Sequence, residues 1–441
     1  MGRSISNHEL SAFGGSAGSV LKAGGAAVDI TPPLDVGLLM SSVQERWAPF
    51  QSVRSPLKAR VLALERGEQR IVLVSLDLIG LNTLAVNGWN QFKCSISRGV
   101  AQAVHPDRIV ITCTHTHSAP ESLALTDLYQ GQQFRLWLGQ LGAKLAQTIS
   151  EAIASARPCT LAIASSELKG FSLQRRVPTA SGIVMSDHLQ PIAPELFNRG
   201  PIDHRVRGLL LRALDGSSIA TLVHANCHPV HEMCIPHISA DFPGELCAAL
   251  EEFSSNGLPI YFNGAAGDIN PPTVSCGIES ARQHGQALAK AITLAGQRAT
   301  VIGTEPMVFR NQTIQLPIRS TRGVPVQETH PGRLSALRLG LLAMVFLPGE
   351  IFVETALAIE NSSPFAQTLV VGYAEDSIGY VPTQRAFDEG GYEIGPGKWS
   401  FLQRGAEPII RSKAAELLRE LWNVELKESE GAKSKSQHAL Q

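Results

Sequence analysis

The sequence predicts an α/β fold in which mixed, multi-stranded sheets carry flanking helices. Short apolar runs rich in β-branched residues and bounded by Gly, Pro or Asp indicate strands. They alternate with longer segments whose apolar residues recur at helical spacing. Two pairs of apolar runs flank Gly67 and Asp215-Gly216, as the strands of hairpins do. The 441 residues, 44% of them hydrophobic, are enough to bury a large core.

Each element is predicted from its own local pattern. Residues 109–111 are β-branched and indicate a buried strand, residues 23–33 form a strand that ends at two prolines, and residues 134–156 show helical periodicity. In chain order, the predicted strands are 23–33, 58–64, 70–78, 109–111, 160–165, 205–214, 217–226, 258–263, 334–339, 343–347 and 368–373, with most of 299–348 extended. The predicted helices are 82–104, 134–156, 243–253, 278–297, 351–361 and 408–422. Residues 385–397 are predicted to be an ordered loop.

We find no internal repeat and no clean linker, so we expect one large domain over residues 21–425. A flexible arm at 1–20 and a disordered tail at 426–441 are predicted to flank it. Residues 1–25 are rich in Gly and Ser and do not form a secretory signal peptide as written. No apolar stretch reaches about 18 residues, so we expect no transmembrane segment.

Composition narrows the class of function. The net charge of −1 gives no electrostatic reason to expect binding to nucleic acid or to an anionic membrane surface. The seven cysteines are scattered singly, without a Cys-x-x-Cys pair, which is typical of a reducing compartment and argues against a disulfide framework. We therefore expect a cytoplasmic protein, while the oligomeric state is not predicted.

The strand at 109–111 leads into Thr114-His115-Thr116-His117-Ser118, where two histidines are two positions apart. In an extended backbone such side chains point to the same side. Histidine is the commonest metal ligand, so the pair could form half of a metal site. A pair of hydrogen-bonded loop histidines is equally compatible with the pattern.

Two further strand ends carry metal-ligand residues. The strand at 217–226 is followed by His228, and the strand at 343–347 is followed by Glu350. Two or three histidines with one glutamate and an open position for water are typical of a catalytic zinc site. The residue types match such a site, but the spacing alone does not establish it, because ligands meet in space and not in sequence.

Polar residues elsewhere keep alternative interpretations. Asp77, inside a predicted strand, could orient a ligand histidine or form a structural ion pair. Arg175 and Arg176 are either a solvated pair or a substrate clamp. Asp268 and Asn270 follow the small residues of Gly264-Ala-Ala-Gly267, which form either a tight turn or a close approach to a ligand.

Additional histidines and cysteines surround His228 in the sequence. His224, His231 and His237 could hold a second metal, although orientation of a ligand is the commoner role of such histidines. Cys227 and Cys234 are interpreted as ordinary small residues rather than soft ligands.

Taken together, the motifs resemble the N-terminal catalytic domain of the neutral/alkaline (non-lysosomal) ceramidase family. In chain order, the matching segments are AAVDITPP at 26–33, THTHSAP at 114–120, QRRVP at 174–178, CHPV at 227–230, SADFPG at 239–244, GAAGDINP at 264–271, LPGE at 347–350, GYVPT at 379–383 and GGYE at 390–393. They span nearly the whole predicted domain in the family's order, so the chain resembles a divergent bacterial-type member.

The resemblance implies one zinc ion per chain. Its implied ligands are His115, His228, Glu350 and Tyr380, although Tyr373 lies close to Tyr380 in the sequence. His117 would then face the substrate or the zinc water as proton shuttle. Further implied roles are substrate contact for Arg175, a place in the pocket wall for Tyr392, and catalytic or supporting functions for Asp268 and Asn270.

Three departures from the family stand out. Asn270 replaces a serine implicated in the active site, and because an amide is not a nucleophile a metal–water mechanism is expected. Gln174 replaces the asparagine that precedes the arginine. The family's C-terminal immunoglobulin-like domain is expected to be missing.

The function expected from the resemblance is a zinc-dependent hydrolase that cleaves an N-acyl amide, ceramidase-like, with a zinc-activated water. The substrate would be a small-molecule or lipid-like amide. One alternative is a zinc hydrolase of a non-ceramide ester or small amide, and a second is a catalytically silent scaffold that kept the fold. A two-metal amidohydrolase barrel is disfavoured because regular eightfold strand–helix alternation is missing.

Overall fold

The computed structural model describes residues 20–252, 257–319 and 329–424. The arm predicted for 1–20, apart from Val20, and the tail predicted for 426–441 lie outside the described residues. The helices, in chain order, are α1 (Trp89–Gly99), α2 (Gln132–Ala154), α3 (Asp241–Glu252), α4 (Ile278–Gly296), α5 (Val353–Ser362), α6 (Gln384–Glu389) and α7 (Ala406–Trp422).

The strands, in chain order, are β1 (Lys22–Asp29), β2 (Leu38–Ser41), β3 (Arg46–Ala48), β4 (Ser52–Val53), β5 (Lys58–Arg66), β6 (Gln69–Leu76), β7 (Ile109–Cys113), β8 (Arg157–Glu167), β9 (Leu173–Gln174), β10 (Arg176–Thr179), β11 (Gly182–Met185) and β12 (Arg205–Ala213). They continue with β13 (Ser218–Ala225), β14 (His237–Ile238), β15 (Leu258–Asn263), β16 (Ile269–Asn270), β17 (Thr300–Ile302), β18 (Met307–Pro317), β19 (Thr329–Leu339), β20 (Leu342–Phe346), β21 (Glu350–Ile351), β22 (Gln367–Val371) and β23 (Tyr380–Val381).

The largest sheet has nine strands in the order β15-β13-β12-β8-β1-β5-β6-β7, with β17 pairing on β8. The pairs β13–β15 and β6–β7 are parallel and the others are antiparallel. A second sheet has the order β18-β19-β20-β22, in which β20 and β22 are parallel. The predicted mixed α/β class with flanking helices is confirmed.

Alternating side chains on the strands bury both faces of the large sheet. Val61 and Ala63 of β5 pack in the core that includes α1 and α2, whereas Leu62 and Leu64 pack in the core formed with the second sheet. Helices α3 and α4 cover β12, β13 and β15, and α5 and α7 cover the far face of the second sheet. The layers are therefore helices, sheet, sheet and helices.

The carboxyl ends of the three parallel pairs, β6–β7, β13–β15 and β20–β22, lie together, because backbone contacts join one pair to the next. An isolated bridge between Thr112 and Ala374 joins the end of β7 to the segment after β22. The Gly372 N–H donates to the Asn263 carbonyl (3.1 Å), which joins the ends of β22 and β15. Loops that leave these strand ends therefore converge, as ligand loops do in open α/β sheets.

Most predicted boundaries shift by a few residues, and two predicted segments differ more. The helix predicted at 82–104 is limited to α1, because Gly88 takes φ 102° before it and Val100 is extended after it. The loop at 385–397 contains α6, whose N-cap Thr383 accepts a hydrogen bond from the Ala386 N–H. Within the described residues, no helix has both the length and the apolar character needed to cross a bilayer.

Candidate metal centre

His115 and His117 lie just beyond the carboxyl end of β7. The His115 backbone is left-handed, with φ 72°, so the prediction of an extended chain at the two histidines is wrong. The His115 N–H donates to the Leu78 carbonyl (2.9 Å), and its ring Nδ1 lies 2.5 Å from the Ile79 carbonyl oxygen. Nε2 therefore turns inward, 3.2 Å from Nε2 of His117. The two imidazoles meet through a turn rather than along a strand.

His228 and Glu350 reach the same point from the ends of β13 and β20. Nδ1 of His228 lies 2.5 Å from the Ala266 carbonyl oxygen, which leaves Nε2 free to face the centre. That Nε2 lies 3.1 Å from Oε2 of Glu350, and the same oxygen lies 3.4 Å from Nε2 of His115. The three predicted strand ends are thus brought together by the fold.

The protonation states suit metal binding. Burial, followed by Arg175, lowers the pKa of His228 to about 4, and burial with the neighbouring histidines holds the pKa of His117 well below its usual range. Burial alone would raise the pKa of Glu350, but His115 and His228 bring it below its usual value. Neutral imidazoles and an ionised carboxylate are the forms that bind a metal.

These donors fit a divalent cation such as zinc. Two imidazoles have Nδ1 bound to backbone carbonyls, an arrangement that orients Nε2 as a ligand atom. Among the described residues, one group of three His, Cys, Asp or Glu has all its ligand atoms within 4.8 Å of one another: His115, His117 and His228. Glu350 Oε2, within 3.4 Å of Nε2 of both His115 and His228, adds a carboxylate donor to this group.

The other histidines near His228 have different partners. His231 Nε2 lies 3.1 Å from Nδ1 of His284, and His237 Nε2 lies 2.7 Å from a Glu232 carboxylate oxygen. His224 Nε2 contacts the Val370 carbonyl. Cys227 is buried and Cys234 is exposed. Within the described part of the chain, none of these side chains belongs to a group of three or more His, Cys, Asp or Glu residues that could hold a metal ion.

Two tyrosines approach the centre. Tyr380 is the Cα partner of Glu350 in the β21–β23 pair, and its ring lies 5.3 Å from the Arg175 guanidinium. Tyr373 stacks on His115, with ring centroids 4.1 Å apart and an interplanar angle of 27°. The sequence identified Tyr373 only as a neighbour of Tyr380, because a stack across two sheets leaves no local pattern.

Arg175 is not part of a solvated face. It is 2% exposed, its Nε donates to Glu393 (2.7 Å), and its Nη1 lies 3.3 Å from both His228 Nε2 and Asn270 Oδ1. Arg176 is also buried and donates to the second oxygen of Glu393 (2.5 Å). Glu393 is fully buried and was not predicted as a site residue, although it ends the GGYE segment. One carboxylate therefore holds both guanidinium groups.

Tyr392 lies at the outer side of this cluster. Its ring centroid lies 5.8 Å from that of Tyr380, and its hydroxyl lies 2.8 Å from the Ser42 hydroxyl. Ser42 belongs to the turn between β2 and β3, within the 34–56 region for which no site residue was predicted. Tyr392 thus joins the β2–β3 turn to the metal centre.

Two buried aspartates hold structure around the centre. The Asp268 carboxylate accepts hydrogen bonds from the Val353 N–H and Gln174 Nε2 (both 2.8 Å), and burial raises its pKa to about 6. It thus fixes the loop whose carbonyls hold His228. Asp77 pairs with Arg60 (2.8 Å), which favours the structural interpretation of that residue.

The comparisons with known proteins establish the fold. No protein-family model and no curated protein sequence matches the chain. The crystal structure of neutral ceramidase from Pseudomonas aeruginosa matches with a TM-score of 0.74 at 16% identity, over 90% of this chain and 74% of that one. A ceramidase complexed with C2 matches with a TM-score of 0.73 at 16% identity, over 91% of this chain and 76% of that one. The chain therefore has the fold of the neutral ceramidases, as its motifs predicted.

Proposed function

We propose that the chain is a zinc-dependent hydrolase that cleaves the amide bond of an N-acyl amide. The observation that supports it most is the meeting of four side chains at the joined strand ends: His115, His117, His228 and Glu350. Neighbouring imidazole Nε2 and carboxylate Oε2 atoms in this group lie 3.1–3.4 Å apart. The fold supports the same proposal, since two solved structures that share it are ceramidases by name.

In the proposed site, His115, His228, Glu350 and Tyr380 hold one zinc ion. When bound, the ion lowers the pKa of a water molecule from about 16 towards about 7 and polarises a carbonyl oxygen. This ligand set leaves His117 free of the metal.

His117 is proposed as the proton shuttle. Its lowered pKa keeps the imidazole neutral, so it can accept the proton of the attacking water. It then passes the proton to the departing amine nitrogen, which leaves as a neutral amine. His117 is half-buried whereas His115 is fully buried, which supports a position for His117 towards the substrate.

Arg175 is proposed to bind a polar group of the substrate. Its Nε is used by Glu393 and its Nη1 faces Asn270, but the buried Nη2 has no hydrogen-bond partner among the described residues. A buried guanidinium donor without a partner costs free energy unless a ligand satisfies it. Tyr392 would line the same side of the pocket, and Asp268 would keep the His228 loop in place.

The test is hydrolysis by zinc-loaded protein of a panel of N-acyl amides that includes ceramide, together with matched esters. Release of fatty acid and amine supports the proposal, and the panel distinguishes ceramide from a smaller amide or an ester. His117→Ala should keep the metal and lose turnover. Loss of metal in His117→Ala would make His117 a ligand, and a metal-loaded protein that cleaves no member of the panel would contradict the proposed activity.

A further inference from the structure

Tyr373 places a buried phenol beside the metal centre without a hydrogen-bond partner. The residue is 6% exposed, and its hydroxyl contacts no acceptor or donor among the described residues. Its ring stacks on His115 at 4.1 Å and lies edge-on to His228 at 6.2 Å. Packing alone would be served equally well by phenylalanine, so the hydroxyl is the feature that needs an explanation.

None of the other four tyrosines, all of which are described, has a buried hydroxyl without a partner. Tyr261, equally buried, donates to the Ala225 carbonyl (3.2 Å). Of the remaining three, Tyr129 accepts from Gln130, Tyr392 bonds Ser42, and Tyr380 lies against Arg175, with its ring centroid 5.3 Å from the guanidinium. Among the five tyrosines, the unpaired hydroxyl is therefore confined to the one that touches a predicted metal ligand.

The backbone of Tyr373 is held in an unfavourable conformation. Its φ is 51°, in the left-handed region that bulky residues rarely adopt. Two hydrogen bonds impose this conformation: the Tyr373 N–H donates to the Gly349 carbonyl (3.0 Å), and the Tyr373 carbonyl accepts from the Cys113 N–H (3.0 Å). The residue thus connects the end of β7 with the turn that carries Glu350. Strain of this kind at a candidate site indicates a residue placed for function.

We propose that the Tyr373 hydroxyl donates a hydrogen bond to the substrate carbonyl oxygen as that oxygen gains negative charge during amide cleavage. The inference rests on the proposed function and adds a catalytic residue that neither the motifs nor the family resemblance indicated. The O–H bond stays intact, so the step needs no other reactant. A phenol with an ordinary pKa of about 10 is protonated at neutral pH, so the hydroxyl is available as a donor.

The tested variant is Tyr373→Phe, which keeps the stacked ring, with Tyr261→Phe as the matched control. Loss of one donor to a developing oxyanion lowers kcat by about 100-fold or more. We expect that fall in Tyr373→Phe, with KM and metal content close to wild type, and no comparable change in Tyr261→Phe. A kcat within threefold of the control would overturn the proposal, and loss of bound zinc would make Tyr373 a ligand instead of a donor.

A binding measurement separates this inference from the proposed activity. An alkylphosphonate, which carries negative oxygens like a tetrahedral intermediate, is titrated calorimetrically into zinc-loaded wild type and both variants. We expect about tenfold weaker binding in Tyr373→Phe alone. Equal binding in all three proteins would refute the donor role. If wild type binds zinc and phosphonate but cleaves no amide, the proposed activity fails while the donor role is still decided by this titration.

Discussion

Replacing Glu393 with glutamine should destabilise the protein more than any surface substitution nearby. The Glu393 carboxylate is fully buried and accepts from Arg175 Nε at 2.7 Å and from Arg176 Nη1 at 2.5 Å. Glutamine keeps the shape of the side chain but removes the negative charge. Two buried guanidinium groups would then share no full counter-charge at this position.

The expected loss follows from the burial of the ion pairs. Removing one partner of a buried pair costs about 3–5 kcal/mol, because the remaining charge stays out of water. Glu389→Gln is the matched control, since Glu389 also contacts Arg176 (3.3 Å) but is 36% exposed. A surface pair of this kind contributes about 0–1 kcal/mol.

Urea unfolding of the two variants and wild type, followed by tryptophan fluorescence, measures the difference. We expect Glu393→Gln to lose several kcal/mol and to show a raised KM, because Arg175 is no longer held. Arg175 and Arg176 hold the pKa of Glu393 below 4.5 although burial raises it. The wild-type advantage is therefore present above pH 4.5 and declines as the pH falls through the lowered pKa. A loss equal to that of Glu389→Gln would refute the reasoning.

Two further substitutions test the surroundings of the centre. In Gly267→Ala, the added Cβ would meet the Glu350 carbonyl oxygen at 2.5 Å, so we expect zinc affinity at least about tenfold lower by metal titration. Gly303→Ala, with no atom within 4 Å of the added Cβ, should bind zinc as wild type does, and equal affinities would contradict the steric argument. The second substitution is at His224, whose pKa is lowered to about 3, mainly by burial and then by Arg207. Between pH 6.5 and 3, the unfolded chain therefore binds a proton at this residue that the folded chain does not. The folded protein is therefore not penalised by this histidine above pH 6.5 and loses stability as the pH falls below that value. In His224→Gln, the dependence of the free energy of unfolding on pH should be flatter by about 1.4 kcal/mol per pH unit between pH 6 and 4. An unchanged slope would contradict the lowered pKa.

The sequence predicted the parts of the site that depend on strand ends. His115, His228 and Glu350 each follow an apolar run. The three runs belong to different strand pairs, and backbone hydrogen bonds between the pairs, such as Gly372 N–H to Asn263 and Cys113 N–H to Tyr373, bring their ends together. The left-handed backbone at His115 was not predicted, because it depends on hydrogen bonds to the carbonyls of Leu78 and Ile79, in the segment that follows β6.

The roles of residues whose partners lie far away in the sequence could not be predicted. From the sequence, Arg175 and Arg176 could have been a solvated pair. Their common counter-charge, Glu393, lies 217 positions from Arg176 and could not be inferred from the local sequence. No sequence motif around Tyr373 predicts that its ring stacks on that of His115. Asp77 could be interpreted only after its partner Arg60, on the paired strand, was known.

The most direct test of the zinc site is the metal content of the purified protein, measured by elemental analysis for wild type and His228→Ala. We predict about one zinc per chain in wild type and its loss in the variant, with the fold of both confirmed by circular dichroism. A folded wild-type protein that contains no zinc and takes up none when zinc is added would contradict the metal centre and the hydrolase proposal with it.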